Sequence, residues 1–81
     1  MSIKVLYFAS LREEIGRASD KIDISDANNG SVQVTQLWMK ATGRDSLPDE
    51  LLVAVNQEYT SIDAFVKDGD EVAFFPPVTG G

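Results

Sequence analysis

Short segments in which hydrophobic and polar residues alternate recur along this chain, and they predict strands separated by turns. Residues 3–8 are rich in strand-forming side chains and predict the first strand. Residues 9–16 predict a short turn or half-helix that ends at Gly16. Residues 21–25 alternate polar and apolar side chains, which is typical of a half-buried second strand that forms a hairpin with the first.

One helix is predicted in the middle of the chain, with Ser31 as its N-cap and its end near Thr42. Apolar residues in this segment recur at positions i, i+3, i+4 and i+7, so they form one stripe along the helix. Gly43 follows at the position where a left-handed C-terminal cap is expected. The stripe consists of Val34, Leu37, Trp38 and Ala41.

The second half of the chain predicts further strands. Residues 51–55 form a continuous apolar run, which indicates a strand buried in the middle of a sheet. Residues 56–57 predict a turn, and residues 58–62 predict a short strand after it. Residues 66–70 contain a turn signal, and residues 71–75 predict the last strand.

This order of elements predicts an α+β fold of the β-grasp (ubiquitin-like) type. A mixed sheet of four to five strands would pack on one main helix, because neither layer can bury its apolar side alone. The first and last strands would lie side by side at the centre of the sheet. The predicted organisation is one domain over residues 1–75 and an extended tail over residues 76–81.

The composition of the chain limits the catalytic groups and metal ligands that it can offer. Its 81 residues contain no cysteine and no histidine. Zinc sites built from Cys and His, and catalytic Ser-His-Asp or Cys-His groups, are therefore excluded. The net charge of −6 argues against nucleic acid, whose phosphates would repel the chain. That acidity suits either solubility or steering toward a basic partner. No apolar run approaches the roughly 20 residues that cross a bilayer, so a cytoplasmic location and no membrane contact are expected.

The tail, residues 76–81, reads Pro-Pro-Val-Thr-Gly-Gly. The prolines favour an extended exit from the sheet, and the glycines give a slim tip that suits a narrow tunnel in a partner. The carboxylate of Gly81 would need activation, for example as an acyl-adenylate formed with ATP. A sulfur donor would then leave a thiocarboxylate, whereas an amine would leave an isopeptide bond. A terminal Gly-Gly alone is also typical of an inert end.

A candidate contact surface lies at the root of the tail. Alternation along the last strand turns Val72 and Phe74 inward. If the first and last strands are neighbours, Phe8 and Phe75 form an exposed aromatic patch, which is common at protein contacts. Tyr59 is a candidate third member, and the register of its strand is left open. The residues expected on the outer side are Lys4, Leu6 and Phe8 of the first strand and Glu71, Ala73 and Phe75 of the last.

The chain resembles the molybdopterin synthase small subunit, a family of ubiquitin-like (MoaD-type) sulfur carriers. The resemblance covers nearly the whole chain and is strongest in residues 68–81, while residues 19–50 match by pattern more than by identity. The other matching segments are residues 7–9, residues 11–13 with Gly16, and residues 54–56.

The resemblance implies that the chain is not itself an enzyme and binds no cofactor or metal. An activating enzyme would consume ATP to adenylate Gly81, which would then carry sulfur as a thiocarboxylate. The tail would insert into the large catalytic subunit of molybdopterin synthase, within a heterotetramer, and pass sulfur to cyclic pyranopterin monophosphate. Relatives often carry an aliphatic residue at the position of Tyr59. The implied partner-binding residues are Phe8, Arg12, Tyr59, Phe75, Pro76, Pro77, Val78, Thr79 and Gly80.

Three other functions share this fold. A carrier of the thiamine pathway also ends in Gly-Gly but usually lacks the Phe-Phe-Pro-Pro lead-in of residues 74–77. A protein-modifying tag would join its tail to lysines of targets, and a plain interaction module would have an inert tail. The iron–sulfur ferredoxin version of the fold is excluded because its cluster needs cysteines.

Overall fold

A computed structural model of the protein describes residues 1–25, 27–48 and 50–76. Among the described residues, three strands precede the main helix and four follow it, whereas the sequence predicts two strands before this helix and three after it. In chain order the elements are β1 (Ser2–Tyr7), α1 (Ser10–Ile15), β2 (Ser19–Asp23), a 3-10 turn (Asn28–Gly30), β3 (Ser31–Gln33), α2 (Val34–Thr42), β4 (Leu52–Val55), β5 (Glu58–Thr60), β6 (Phe65–Lys67) and β7 (Glu71–Phe75).

Five strands form the main sheet in the part of the chain that the structure describes, in the order β2-β1-β7-β4-β5. The strands β1 and β7 run parallel, and every other neighbouring pair in this sheet is antiparallel. The first and last strands are therefore direct neighbours within the sheet, although they lie at opposite ends of the chain. This arrangement confirms the predicted α+β fold of the β-grasp type.

The helix α2 covers one face of the main sheet. Its apolar stripe is buried as predicted, and the Trp38 ring meets the edge of the Phe74 ring at a centroid distance of 5.0 Å. The Trp38 indole N–H donates a hydrogen bond to the Ser46 carbonyl (3.0 Å), so burial of this ring leaves no polar atom unpaired. Among the described helices this is the longest, at nine residues, and none could cross a lipid bilayer.

The helix α2 begins at Val34, so the prediction of Ser31 as its N-cap is wrong. Residues 31–33 form β3 instead and pair with β6 in a two-stranded antiparallel sheet. In that sheet the buried side chain of Val32 lies opposite the buried side chain of Val66. Burial of this pair stabilises extended backbone at the point where the helical spacing alone would start the helix one turn earlier.

Backbone carbonyls from the segment before β6 cap the first turn of α2. The Val34 N–H donates to the Ala64 carbonyl (2.9 Å), and the Thr35 N–H donates to the Ile62 carbonyl (3.2 Å). The first N–H groups of a helix have no acceptor within the helix and usually donate to an N-cap side chain. Here the two backbone carbonyls take the place of that side chain. The helix start therefore depends on residues that are distant in sequence.

The two glycines expected to end helices do so. Gly16 follows α1 with φ of 88°, and Gly43 follows α2 with φ of 73°. Each lies in the left-handed region, which a glycine adopts without the strain of a side chain. The Gly16 N–H donates to the Arg12 carbonyl, and the Gly43 N–H donates to the Met39 carbonyl.

Other strand limits differ from the sequence-based predictions by a few residues. The strand β2 begins at Ser19 because residues 19–20 continue the ladder with β1. The strand β5 ends at Thr60. The Asp63 N–H donates to the Ser61 hydroxyl, and this local hydrogen bond forms a turn that directs the chain away from the sheet. No strand is predicted at β6, whose last two residues fall within the segment that carries the turn signal.

A side-chain cluster joins β1 to the end of α2. The Tyr7 hydroxyl donates to the Asp20 carboxylate (2.9 Å), which also accepts from Arg17. The Arg17 guanidinium in turn donates to the Ala41 carbonyl (2.7 Å) and lies 5.8 Å from the centroid of the Tyr7 ring. Burial of the phenol, together with its hydrogen bond to Asp20, raises the pKa of Tyr7 above its ordinary value.

Candidate functional site

The register of β1 and β7 brings Phe8 and Phe75 together. Tyr7 pairs with Phe74 in the ladder, and the Phe8 N–H donates to the Phe74 carbonyl (3.1 Å). The rings of Phe8 and Phe75 stack with centroids 4.7 Å apart and planes 9° apart. The Phe8 side chain remains 41% exposed, which confirms the predicted aromatic patch at the end of the last strand.

The hairpin of β4 and β5 adds Tyr59 to this patch. Tyr59 pairs with Ala54, on the same face of the sheet as Phe75, and its ring centroid lies 6.0 Å from that of Phe75. The Tyr59 side chain is 73% exposed. The three rings of Phe8, Phe75 and Tyr59 form a line across the sheet, called here the aromatic row, with Phe75 in the middle.

A tight turn sets the position of Tyr59. Asn56 and Gln57 connect β4 to β5 and have φ values of 51° and 71°. Positive φ at both central residues is the geometry of a type I′ turn, whose twist matches that of the flanking strands. The Asn56 side chain also accepts from the Glu71 N–H (3.0 Å) and donates to the Asp70 carboxylate (3.0 Å). The hairpin is thereby attached to the start of β7.

The aromatic row borders a depression in the sheet face opposite α2. Small side chains, Ala54 and Ala73, form its floor together with Leu6. Glu71 and Gln57 complete the wall at the end away from Phe75. The Lys4 ammonium lies 4.0 Å from the Glu71 carboxylate, and both of these side chains are substantially exposed. The face therefore offers apolar contact area beside one carboxylate, which suits docking rather than bond-breaking chemistry.

The other predicted site residues lie in different places. Arg12 is an exposed residue of α1, and it is absent from the ring contacts and the depression that the described residues form. Pro76 directly follows Phe75 and is half-buried. The remaining predicted tail residues lie outside the described residues, namely Pro77, Val78, Thr79, Gly80 and Gly81.

Sequence reasoning missed the contribution of β4 and its turn to this face. The prediction that Leu6, Glu71 and Ala73 lie on the outer side of the sheet is correct, because successive side chains of a strand point to opposite faces. Ala54 and Gln57 were not identified, since the continuous apolar run of residues 51–55 contains no alternation from which its two faces could be assigned. The pairing of Leu52 with Phe75 supplies that assignment.

Comparison with known proteins identifies the family. The model described as "ThiS family" matches residues 5–81. The chain belongs to this family. It is 47% identical to the molybdopterin synthase sulfur carrier subunit of Escherichia coli (strain K12), over 98% of this chain and 99% of that protein. It is 37% identical to the protein of the same name from Chlamydomonas reinhardtii, over the whole of both chains.

A solved structure supports the fold assignment of this ThiS family member. The crystal structure of SAMP1, small archaeal modifier protein 1, from Haloferax volcanii superposes with a TM-score of 0.80. The match covers all of both chains at 27% sequence identity. Similarity therefore extends to proteins named as sulfur carriers and to one named as a modifier.

Proposed function

We propose that this chain is the sulfur carrier subunit of molybdopterin synthase and that Gly81, as its last residue, carries the sulfur. The observation that carries the proposal is the aromatic row at the point where β7 leaves the sheet, one residue before the predicted tail. Such a surface would hold the globule on a partner while the tail reaches into it. The 47% identity to a carrier subunit supports the same assignment.

The reactive group in this proposal is the chain's own carboxylate. An activating enzyme would join the Gly81 carboxylate to AMP from ATP, with release of pyrophosphate. A sulfur donor would then displace AMP and leave the thiocarboxylate. In molybdopterin synthase the sulfur would pass to cyclic pyranopterin monophosphate, and the large subunit would supply the acid–base groups that a chain without histidine or cysteine lacks.

Two partners follow from this chemistry, and both would use the aromatic row in turn. The first is the ATP-dependent activating enzyme, and the second is the large catalytic subunit, with which the carrier would form a heterotetramer. Exposed aromatic side chains beside a half-buried ring are suited to repeated docking, since they supply contact area at little conformational cost. The chain itself would bind no cofactor, and both steps would take place in the cytoplasm.

Reconstitution tests the pathway assignment. The thiocarboxylated chain is mixed with the large subunit and cyclic pyranopterin monophosphate, and molybdopterin is measured by conversion to its fluorescent oxidation product. We expect product in proportion to the carrier supplied. Sulfur loading without product would contradict the molybdopterin assignment and favour a carrier of another pathway, such as the thiamine type.

The likeness to small archaeal modifier protein 1 favours a second candidate function, attachment to other proteins. In that case a lysine amine would attack the adenylate and form an isopeptide bond with Gly81. The activating enzyme and ATP are supplied with cell extract but without a sulfur donor. Tryptic peptides are then searched for lysines that carry residues 68–81 as a remnant, because Lys67 is the last site of tryptic cleavage in this chain. Conjugates would support the modifier function, and their absence would exclude it under these conditions.

A further inference from the structure

The depression beside the aromatic row is large enough to receive one long side chain. Its volume is about 410 Å³, near the lower end of the range of about 300–1,000 Å³ for small-ligand pockets. The floor of Ala54 and Ala73 leaves this space open because neither side chain extends beyond Cβ. Phe8 and Tyr59 are among its lining residues, and Glu71 is the one acidic residue of the lining.

This lining combines a long apolar surface with a single negative charge. A purely aliphatic side chain would displace water from the Glu71 carboxylate and leave it only the Lys4 ammonium 4.0 Å away, which is costly. A long side chain with a cationic end would instead place its methylene groups on Leu6 and the alanines and its charge on Glu71. Arginine fits better than lysine because its planar guanidinium binds a carboxylate through two donors.

The Glu71 carboxylate remains available for such a contact. Its link to Lys4 spans 4.0 Å, with the two side chains 63% (Lys4) and 36% (Glu71) exposed, so it is a weak surface pair that a closer cation can replace. The Glu71 backbone is fixed by hydrogen bonds to Asn56 on both its N–H and its carbonyl. The net charge of −6 also favours a partner surface that is locally positive.

We propose that the depression receives an arginine side chain from the large subunit of molybdopterin synthase, with its guanidinium on the Glu71 carboxylate and its methylene groups on Leu6 and the two alanines. This inference rests on the proposed function for the identity of the partner. It adds the chemistry by which that partner is recognised, and it makes Glu71 a residue that determines partner choice.

Calorimetric titration of the purified large subunit with the full chain tests this contact. We expect Glu71→Gln to raise Kd by about tenfold at low ionic strength, because one charged partner of a desolvated pair is lost. The matched control is Glu58→Gln, which removes the same charge from an exposed residue of β5 that pairs with Val55 and lies outside the depression. For this control we expect a change in Kd of less than about twofold.

Removal of the competing cation gives an effect of opposite sign. We expect Lys4→Gln to lower Kd by about two- to threefold, because the Glu71 carboxylate is then free for the arginine. Lys21 pairs with Lys4 across β1 and β2, so Lys21→Gln changes net charge equally, one strand farther from Glu71. For this control we expect Kd within a factor of about 1.5 of the wild type.

A double-mutant cycle then identifies the arginine. Each surface arginine of the large subunit is changed to alanine and tested against the wild-type chain and Glu71→Gln. We expect one arginine whose loss weakens binding of the wild type but has little effect on the variant. Equal Kd values for Glu71→Gln and Glu58→Gln, or no coupled arginine, would overturn the inference while leaving the carrier function intact. A wild-type chain that fails to bind the large subunit at all would overturn both.

Discussion

Phe75 is the central residue of the candidate docking face, because its ring lies between those of Phe8 and Tyr59. We expect Phe75→Ala to raise Kd for the large subunit by about tenfold or more, since hot spots are enriched in central aromatic side chains. The loss of stability should stay below the roughly 3–5 kcal/mol of a buried phenylalanine, because Phe75 is only half-buried. Calorimetric titration and denaturant unfolding measure the two effects.

Phe65→Ala is the matched control for this substitution. Phe65 is 67% exposed and lies on β6 in the small sheet, away from the aromatic row. We expect its removal to leave Kd within about twofold of the wild-type value. An unchanged Kd for Phe75→Ala, or an equal loss for both variants, would show that the aromatic row is not the docking site.

Tyr7 links stability to pH at the residue scale. Burial and the Asp20 carboxylate raise the pKa of its phenol, so the folded chain keeps a proton that the unfolded chain loses near pH 10, the ordinary pKa of tyrosine. The stabilisation is complete below about pH 10 and is lost as the pH rises toward the folded-state pKa. We expect Tyr7→Phe to cost about 1 kcal/mol at neutral pH through the lost hydrogen bond.

The difference in unfolding free energy between the wild type and Tyr7→Phe should shrink between about pH 8 and about pH 11. Urea unfolding at both pH values measures it, with circular dichroism to confirm that both proteins are folded. A difference that stays constant or grows across this range would contradict the role given to the Tyr7 phenol.

At the scale of elements, the β4–β5 hairpin determines where Tyr59 lies. Gln57 adopts φ of 71° in its turn, which costs a non-glycine residue about 1 kcal/mol. We expect Gln57→Gly to raise the free energy of unfolding by about 0.5–1 kcal/mol, because Asn-Gly is the preferred pair for this turn. Gln57→Ala removes the same side chain but keeps the strain, so it should give no gain. A loss of stability for the glycine variant would mean that the turn is not strained.

The elements that could be predicted are those whose pattern is local. The apolar stripe of α2 and the strand formers of residues 71–75 identify their elements without knowledge of the rest of the chain. The prediction that Ser31 is the N-cap of α2 is wrong because Ser31 belongs to β3. This strand is only three residues long and is held by pairing with β6. A strand that depends on a partner so distant in sequence leaves no periodic signal of its own.

At the scale of the whole molecule, chain order sufficed to predict the main contact of the candidate site. Phe8 and Phe75 lie at the same end of β1 and β7, which are parallel neighbours in a β-grasp sheet, and the observed register brings their rings together. The depression could not be predicted in the same way. It requires the register of β4 against β7, which sets Ala54 opposite Ala73 and depends on packing across the entire sheet.

In the proposed function, the folded globule and the reactive end of the chain have separate roles. Deletion of Gly81 should therefore abolish sulfur transfer and leave the unfolding midpoint nearly unchanged, since terminal residues seldom carry stability. Thermal unfolding of the wild type and the deletion variant, followed side by side with sulfur loading, measures both. A large drop in midpoint would contradict this separation, as would sulfur loading without Gly81.

The most direct test of the central claim is the mass of the intact chain after incubation with the activating enzyme, ATP and a sulfur donor. We predict an increase that corresponds to the replacement of one oxygen by sulfur, and fragmentation should place the change at Gly81 as the last residue. The deletion variant without Gly81 serves as the control. A mass that stays unchanged, or a sulfur found elsewhere in the chain, would contradict the account.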